Sequence, residues 1–150
     1  MLKTWEKWSE KMENRFKELL ARLQRSVLDD NFLEIAEEII EEMENMPSAF
    51  NALVPVLMLM ENNPGIDYGK PGPLVHFVER FYGHGYEEKL VDSLKRKPIK
   101  HTIWMLNRVI NGSEADKKEY LLEVLDNVIC FPNLDPDIVS LAKHFRSLHY

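Results

Sequence analysis

Residues 4–27 read TWEKWSEKMENRFKELLARLQRSV. Trp5, Trp8, Met12, Phe16, Leu19, Leu20, Leu23 and Val27 recur at steps of three and four, the spacing that gathers side chains on one face of an α-helix. Glu6–Glu10, Lys7–Lys11 and Glu13–Lys17 dress the polar side. The spacing predicts one long amphipathic helix over about residues 3–28. Asp29-Asp30-Asn31 ends it and supplies the next N-cap.

The helical step continues in Phe32, Ile35, Ala36, Ile39, Ile40 and Met43, to about residue 45. After Met46-Pro47-Ser48, the run from Phe50 through Leu53 to Met60 is apolar nearly all round and is expected at the centre of the fold. Pro55 within it is predicted to kink or divide that helix. Residues 61–73 carry three prolines and three glycines and form the longest loop, of a length often tied to function. Beyond it, Pro73 starts a helix that Gly83-His84-Gly85 closes, and a short helix follows over 86–96. Another runs from Pro98 to Asn111-Gly112. Ser113 and Asp116 form a weak capping-box match opening the next, and Asp135-Pro136 starts the last. No stretch alternates convincingly as a strand. The predicted fold class is all-α: a single domain over 1–150 with about eight helices packed as stacked antiparallel hairpins, α-solenoid-like or an irregular bundle. No internal repeat of fixed period is found.

The chain has 150 residues and a formal charge of −6. That balance argues against nucleic acid as the main partner, because duplex binding needs a basic footprint. Residues 1–28 carry seven bases and four acids, whereas residues 29–69 carry ten acids and no Lys or Arg. No apolar run reaches membrane-spanning length, the N-terminus is charged throughout and unlike a secretion signal, and one cysteine excludes an internal disulfide. These features point to the cytoplasm. Cys130 and Trp104 are expected to be buried, and Trp5 and Trp8 to pack in the core or across a helix pair.

Little in the chain reads as catalytic. His76, His84, His101, His144 and His149 lack metal-site spacing, no cofactor motif is present, and Gly83-His84-Gly85 is too short to cradle phosphate. The best acid–base set is His76 and Glu79 with His101, Asn107 and Arg108. Its simpler reading is helix capping and pairing. The acidic helix is more informative. Glu34, Glu37, Glu38, Glu41 and Glu42 stand three and four residues apart with no interleaved base, and like charges at that spacing destabilise a helix. A basic partner would compensate that cost and would be steered to the patch. The candidate partner-binding residues are these five with Asp67, Tyr68 and Lys70 of the loop; His76, His101 and Arg108 are secondary candidates.

Gly72-Pro-Leu-Val-His-Phe-Val-Glu79 and Lys97-Pro-Ile-Lys-His-Thr-Ile-Trp-Met-Leu-Asn-Arg-Val-Ile-Asn111 resemble bacterial α-helical immunity proteins, those encoded beside polymorphic or contact-dependent-inhibition toxins. The resemblance covers these two stretches. It implies a non-catalytic, cytoplasmic, antitoxin-like protein that binds one cognate toxin domain, many such toxins being nucleases with basic clefts. It assigns no binding residue by position. Two other readings fit the residues: a helical scaffold or adaptor, homodimeric through helix 3–28, and an enzyme acting on nucleic acid through His76, His101 and Arg108.

Overall fold

The computed structural model describes residues 2–149, with the side chain of Leu2 left aside. Among these residues there are eight α-helices and no strand. They are α1 (Leu2–Arg25), α2 (Phe32–Met43), α3 (Leu53–Asn62), α4 (Pro73–Glu79), α5 (Tyr86–Arg96), α6 (Lys100–Asn111), α7 (Ala115–Ile129) and α8 (Pro136–Ser147). The all-α expectation holds, with boundaries shifted by a few residues at most helix ends.

The Pro55 region divides where backbone hydrogen bonding allows. A short 3₁₀ turn, Ala49–Ala52, precedes α3, so Pro55 sits in the first turn of α3, where its missing N–H leaves no bond unmade. Capping is mostly local. Asp135 Oδ1 accepts from the Asp137 N–H at 2.8 Å, as its position predicts. In α6 the Thr102 hydroxyl accepts from the Ile99 N–H and donates to the Ile99 carbonyl, both at 3.1 Å. Ser113, by contrast, does not cap α7: its hydroxyl donates back to the Val109 carbonyl at 2.6 Å and finishes α6 instead.

Residue contacts cluster into two compact units. The first runs to Leu59 and resumes over Gly65–Tyr82; the second comprises Met60–Pro64 and the chain from Gly83 onward. In the first, α2 packs on both α1 and α4. Phe16, Leu19 and Leu23 of α1 and Ala36, Ile39 and Met43 of α2 are buried. Each buried Leu, Ile or Phe stabilises by about 2 kcal/mol relative to exposure. In the second, α6 packs on α5, α7 and α8 through a face that buries Ile103, Leu106, Val109 and Ile110.

One polar cluster lies inside the second unit. Glu61, at the end of α3, is only 4% exposed. Its carboxylate takes two hydrogen bonds from Arg96, Nε to Oε1 at 3.0 Å and Nη2 to Oε2 at 2.9 Å, and one from the Ser93 hydroxyl at 2.8 Å. The paired carboxylate holds the Arg96 guanidinium above its ordinary pKa. Removing one member of a buried pair strands the other. Arg96→Met is therefore expected to lower unfolding free energy by about 2 kcal/mol, moderated because Arg96 is partly solvated. Glu61→Met/Ser93→Ala/Arg96→Met should recover most of that loss in urea unfolding. A triple variant as weak as the single one would show that packing, not the stranded charge, sets the penalty.

Four expectations fail, for one physical reason. Trp5 is 67% exposed, Trp8 52% and Trp104 56%. Cys130, at the C-cap of α7, is also exposed rather than in the core. Periodicity states which side chains share a face, but whether another element covers that face depends on distant sequence.

Candidate functional site

The acidic residues lie on α2 and, for Glu44, at its C-cap, and their surroundings sort them into two classes. Three are answered by arginines remote in sequence. Arg15 grips Glu42 with two nitrogens, Nε to Oε2 at 2.5 Å and Nη2 to Oε1 at 2.9 Å, and its third, Nη1, reaches Glu18 at 3.2 Å. Arg22 Nη2 reaches Glu38 Oε2 at 3.3 Å, and Arg80, just after α4, meets Glu44 at 2.8 Å. Advancing from Arg15 to Arg22 moves the partner back from Glu42 to Glu38, so α1 and α2 run antiparallel.

The remaining three are Glu34, Glu37 and Glu41. All are exposed, and among the described residues none carries an ion pair. Their spacing, i, i+3 and i+7, sets them in a line along the outward side of α2. The arginines thus neutralise the borders of the helix and leave its crest charged. That crest bears a local penalty: Glu37–Glu41 is a like-charge i,i+4 pair, and α2 has no base in its last turn to meet the negative end of its dipole.

The pairing reaches into titration. The hydrogen bond from Arg15 holds the Glu42 carboxyl below its ordinary pKa. A carboxylate with a lowered folded-state pKa binds fewer protons folded than unfolded. The stability it contributes is present at neutral pH and is lost as pH falls through that lowered value. Arg15→Met should return Glu42 toward its ordinary titration, read by NMR of the side-chain carboxyl carbon. The stability gap between wild type and Arg15→Met should be present at neutral pH and closed in acid; a constant gap would separate the pair from the titration.

The loop before α4 is ordered by its own backbone. Asp67 Oδ1 accepts from the Gly69 N–H at 2.8 Å, Lys70–Pro71 is a cis peptide, and Gly69 and Gly72 have φ of 94° and 87°. Asp67 and Lys70 are exposed. Tyr68 requires a correction. It is wholly buried, its ring edge against Phe32 of α2 at 6.2 Å, and burial raises its hydroxyl pKa. As placed, it anchors the loop to α2 and presents no ring to a partner.

The secondary candidates fall in different units. His76 is exposed on α4 in the first unit; His101, half-buried, and Arg108, exposed, lie on α6 in the second. Asn107, also on α6, meets the His149 ring at 3.3 Å. Burial, aided by Lys118 and Arg146, lowers the His149 pKa. Among the described residues no group of three or more His, Cys, Asp or Glu side chains could hold a metal ion. No described helix is long and apolar enough to cross a membrane.

Sequence reasoning found the glutamates but missed Arg15, Arg22 and Arg80. Arg15 and Arg22 stand two turns apart on one side of α1, but their spacing alone does not say which acids of another helix they meet. Comparison of the chain with protein-family models, curated proteins and solved structures returns no match.

Proposed function

We propose that this chain is a non-catalytic immunity protein of the cytoplasm that binds and neutralises one cognate toxin domain, of the kind deployed in contact-dependent inhibition. The observation that carries the reading is the unpaired line Glu34, Glu37 and Glu41 on an α2 whose borders are neutralised by Arg15, Arg22 and Arg80. A helix with only solvent to face gains from mixed charge. This one keeps three adjacent negative charges on an ordered support, an arrangement suited to a basic protein surface. A toxin that is a nuclease has such a surface, because its cleft must attract a phosphate backbone. The two stretches that resemble immunity proteins support the same conclusion. Asp67 and Lys70, exposed on a loop anchored to α2, extend the proposed contact region.

The experiment is a killing rescue. The product of the neighbouring gene, which this reading expects to be a toxin, is expressed in cells with and without the chain. Growth restored by the wild-type chain supports the reading, and killing that proceeds unchanged overturns it.

A further inference from the structure

Between Ser93 and Ser113 the chain holds five Lys and Arg and not one Asp or Glu, the mirror of the base-free, acid-rich stretch over 29–69. Lys97 and Lys100 bracket the start of α6, and no acid stands in its first turn. Lys95, Lys97 and Lys100 are exposed, and among the described residues none of these three carries an ion pair. Cations gathered at the positive end of a helix dipole are unfavourable until an anion meets them.

Trp104 stands one turn beyond Lys100 on the outward side of α6 and is 56% exposed. The opposite side of the helix buries Ile103, Leu106, Val109 and Ile110. Phe145 of α8, itself buried, meets the indole at 5.4 Å with the rings crossed at 81°. Rings so crossed touch edge to face, so Phe145 leaves at least one face of the indole uncovered. The indole is therefore held in place by a buried ring and open to solvent beside unpaired lysines.

An occupant of this surface must satisfy the cations and the aromatic face together. A run of carboxylates would answer the lysines but not the indole, because the face of an aromatic ring is negative. An anionic membrane takes a helix by its apolar face, and the apolar face of α6 is buried in the protein. A duplex keeps its bases stacked inside and needs a broader basic footprint than one helix side. A single strand meets both demands: an unstacked base lies on the indole while the adjoining phosphates reach the lysines. Lys100 and Trp104 are about 6 Å apart along the helix axis, so the base and phosphate of one nucleotide reach both.

We infer that the outward side of α6 is a contact for single-stranded nucleic acid, with Trp104 stacking one base and Lys97 and Lys100 holding the adjoining phosphates. The contact uses none of Glu34, Glu37 and Glu41, so its failure and the failure of the immunity reading are separately observable.

Tryptophan fluorescence of the full chain tests it. Trp5→Phe/Trp8→Phe leaves Trp104 as the one tryptophan. A twelve-nucleotide oligothymidylate should quench its emission with a Kd of about 100 micromolar at about 50 mM salt. Two phosphate contacts should make the affinity fall about sevenfold when salt is raised fourfold. Lys97→Gln/Lys100→Gln should weaken binding at least tenfold and remove most of that salt dependence, with helical circular dichroism unchanged because both positions are exposed. Trp104→Ala, read by anisotropy of a labelled strand, should cost about tenfold. Emission that stays unquenched at millimolar oligothymidylate overturns the inference. So does equal affinity for a duplex of the same length, for a twelve-residue glutamate peptide or for anionic vesicles. A lysine variant that binds as tightly as its parent overturns it equally.

Discussion

Replacing Glu34, Glu37 and Glu41 with glutamine is expected to weaken the proposed complex with a toxin domain by about 100-fold while making the free protein more stable. The two effects have opposite signs for one reason. Within the free chain, Glu34–Glu37 and Glu37–Glu41 are like-charge neighbours, and none of the three has a partner arginine. Neutralising them removes a few repulsions of a few tenths of a kcal/mol each, about 1 kcal/mol in all. In the proposed complex, the same three charges would face basic groups, and their loss would leave those groups without counterions. Isothermal titration and urea unfolding of one variant read both quantities. Lysine at all three positions should abolish detectable binding, and the wild-type complex should weaken as salt is raised. Unaltered affinity in the glutamine variant would make the crest an ordinary solvated surface. Glu38, Glu42 and Glu44 are poor choices for this test, because their replacement also releases Arg22, Arg15 or Arg80 within the fold.

The second large effect is on stability. Gly72→Ala should cost about 3 kcal/mol or more, because the residue sits at φ 87° and the new Cβ would run into the Tyr68 carbonyl oxygen. Backbone on both sides gives it no room: Gly69 and Gly72 face one another so closely that a Cβ at Gly69 would stand 2.6 Å from the Gly72 Cα. Relief requires opening the turn, which pulls against the buried Tyr68 ring. For a chain of this size the melting temperature should fall by about 10 °C. Gly65→Ala is the matched control. A Cβ there meets nothing within 4 Å, so that variant should be neutral or slightly more stable. Equal behaviour of the two variants in thermal melts would remove the rigid-turn account of the loop.

The difference between these residues marks where sequence reading succeeded. Helix α5 was legible to the residue because an apolar period of 3.6 lies between Gly85 and Pro98. The last helix was legible because Asp135-Pro136 combines a cap with a fixed φ. On α2 the run of acids was plain, since it depends on neighbours in sequence alone. Which of those acids stay unpaired was not, because Arg15, Arg22 and Arg80 come from 16 to 36 residues away and reach α2 only in the fold. Tyr68 misled for a related reason. An aromatic in a Pro- and Gly-rich loop reads as exposed, yet Gly69 and Gly72 turn the chain so that its ring meets Phe32. Trp5 and Trp8 misled in the opposite direction, having the period of a core and no element of their own unit over them.

Under the proposed function, this chain occupies a toxin surface through the crest of α2. That occupancy is tested most directly by titrating the isolated toxin domain with the protein and following the toxin's own activity. Stoichiometric occlusion predicts a linear fall to zero at one chain per toxin domain, with the Glu34/Glu37/Glu41 glutamine variant failing to reach that end point at the same concentrations. Progressive loss of toxin activity at a small fraction of one equivalent, or full inhibition by the glutamine variant at one equivalent, would contradict it.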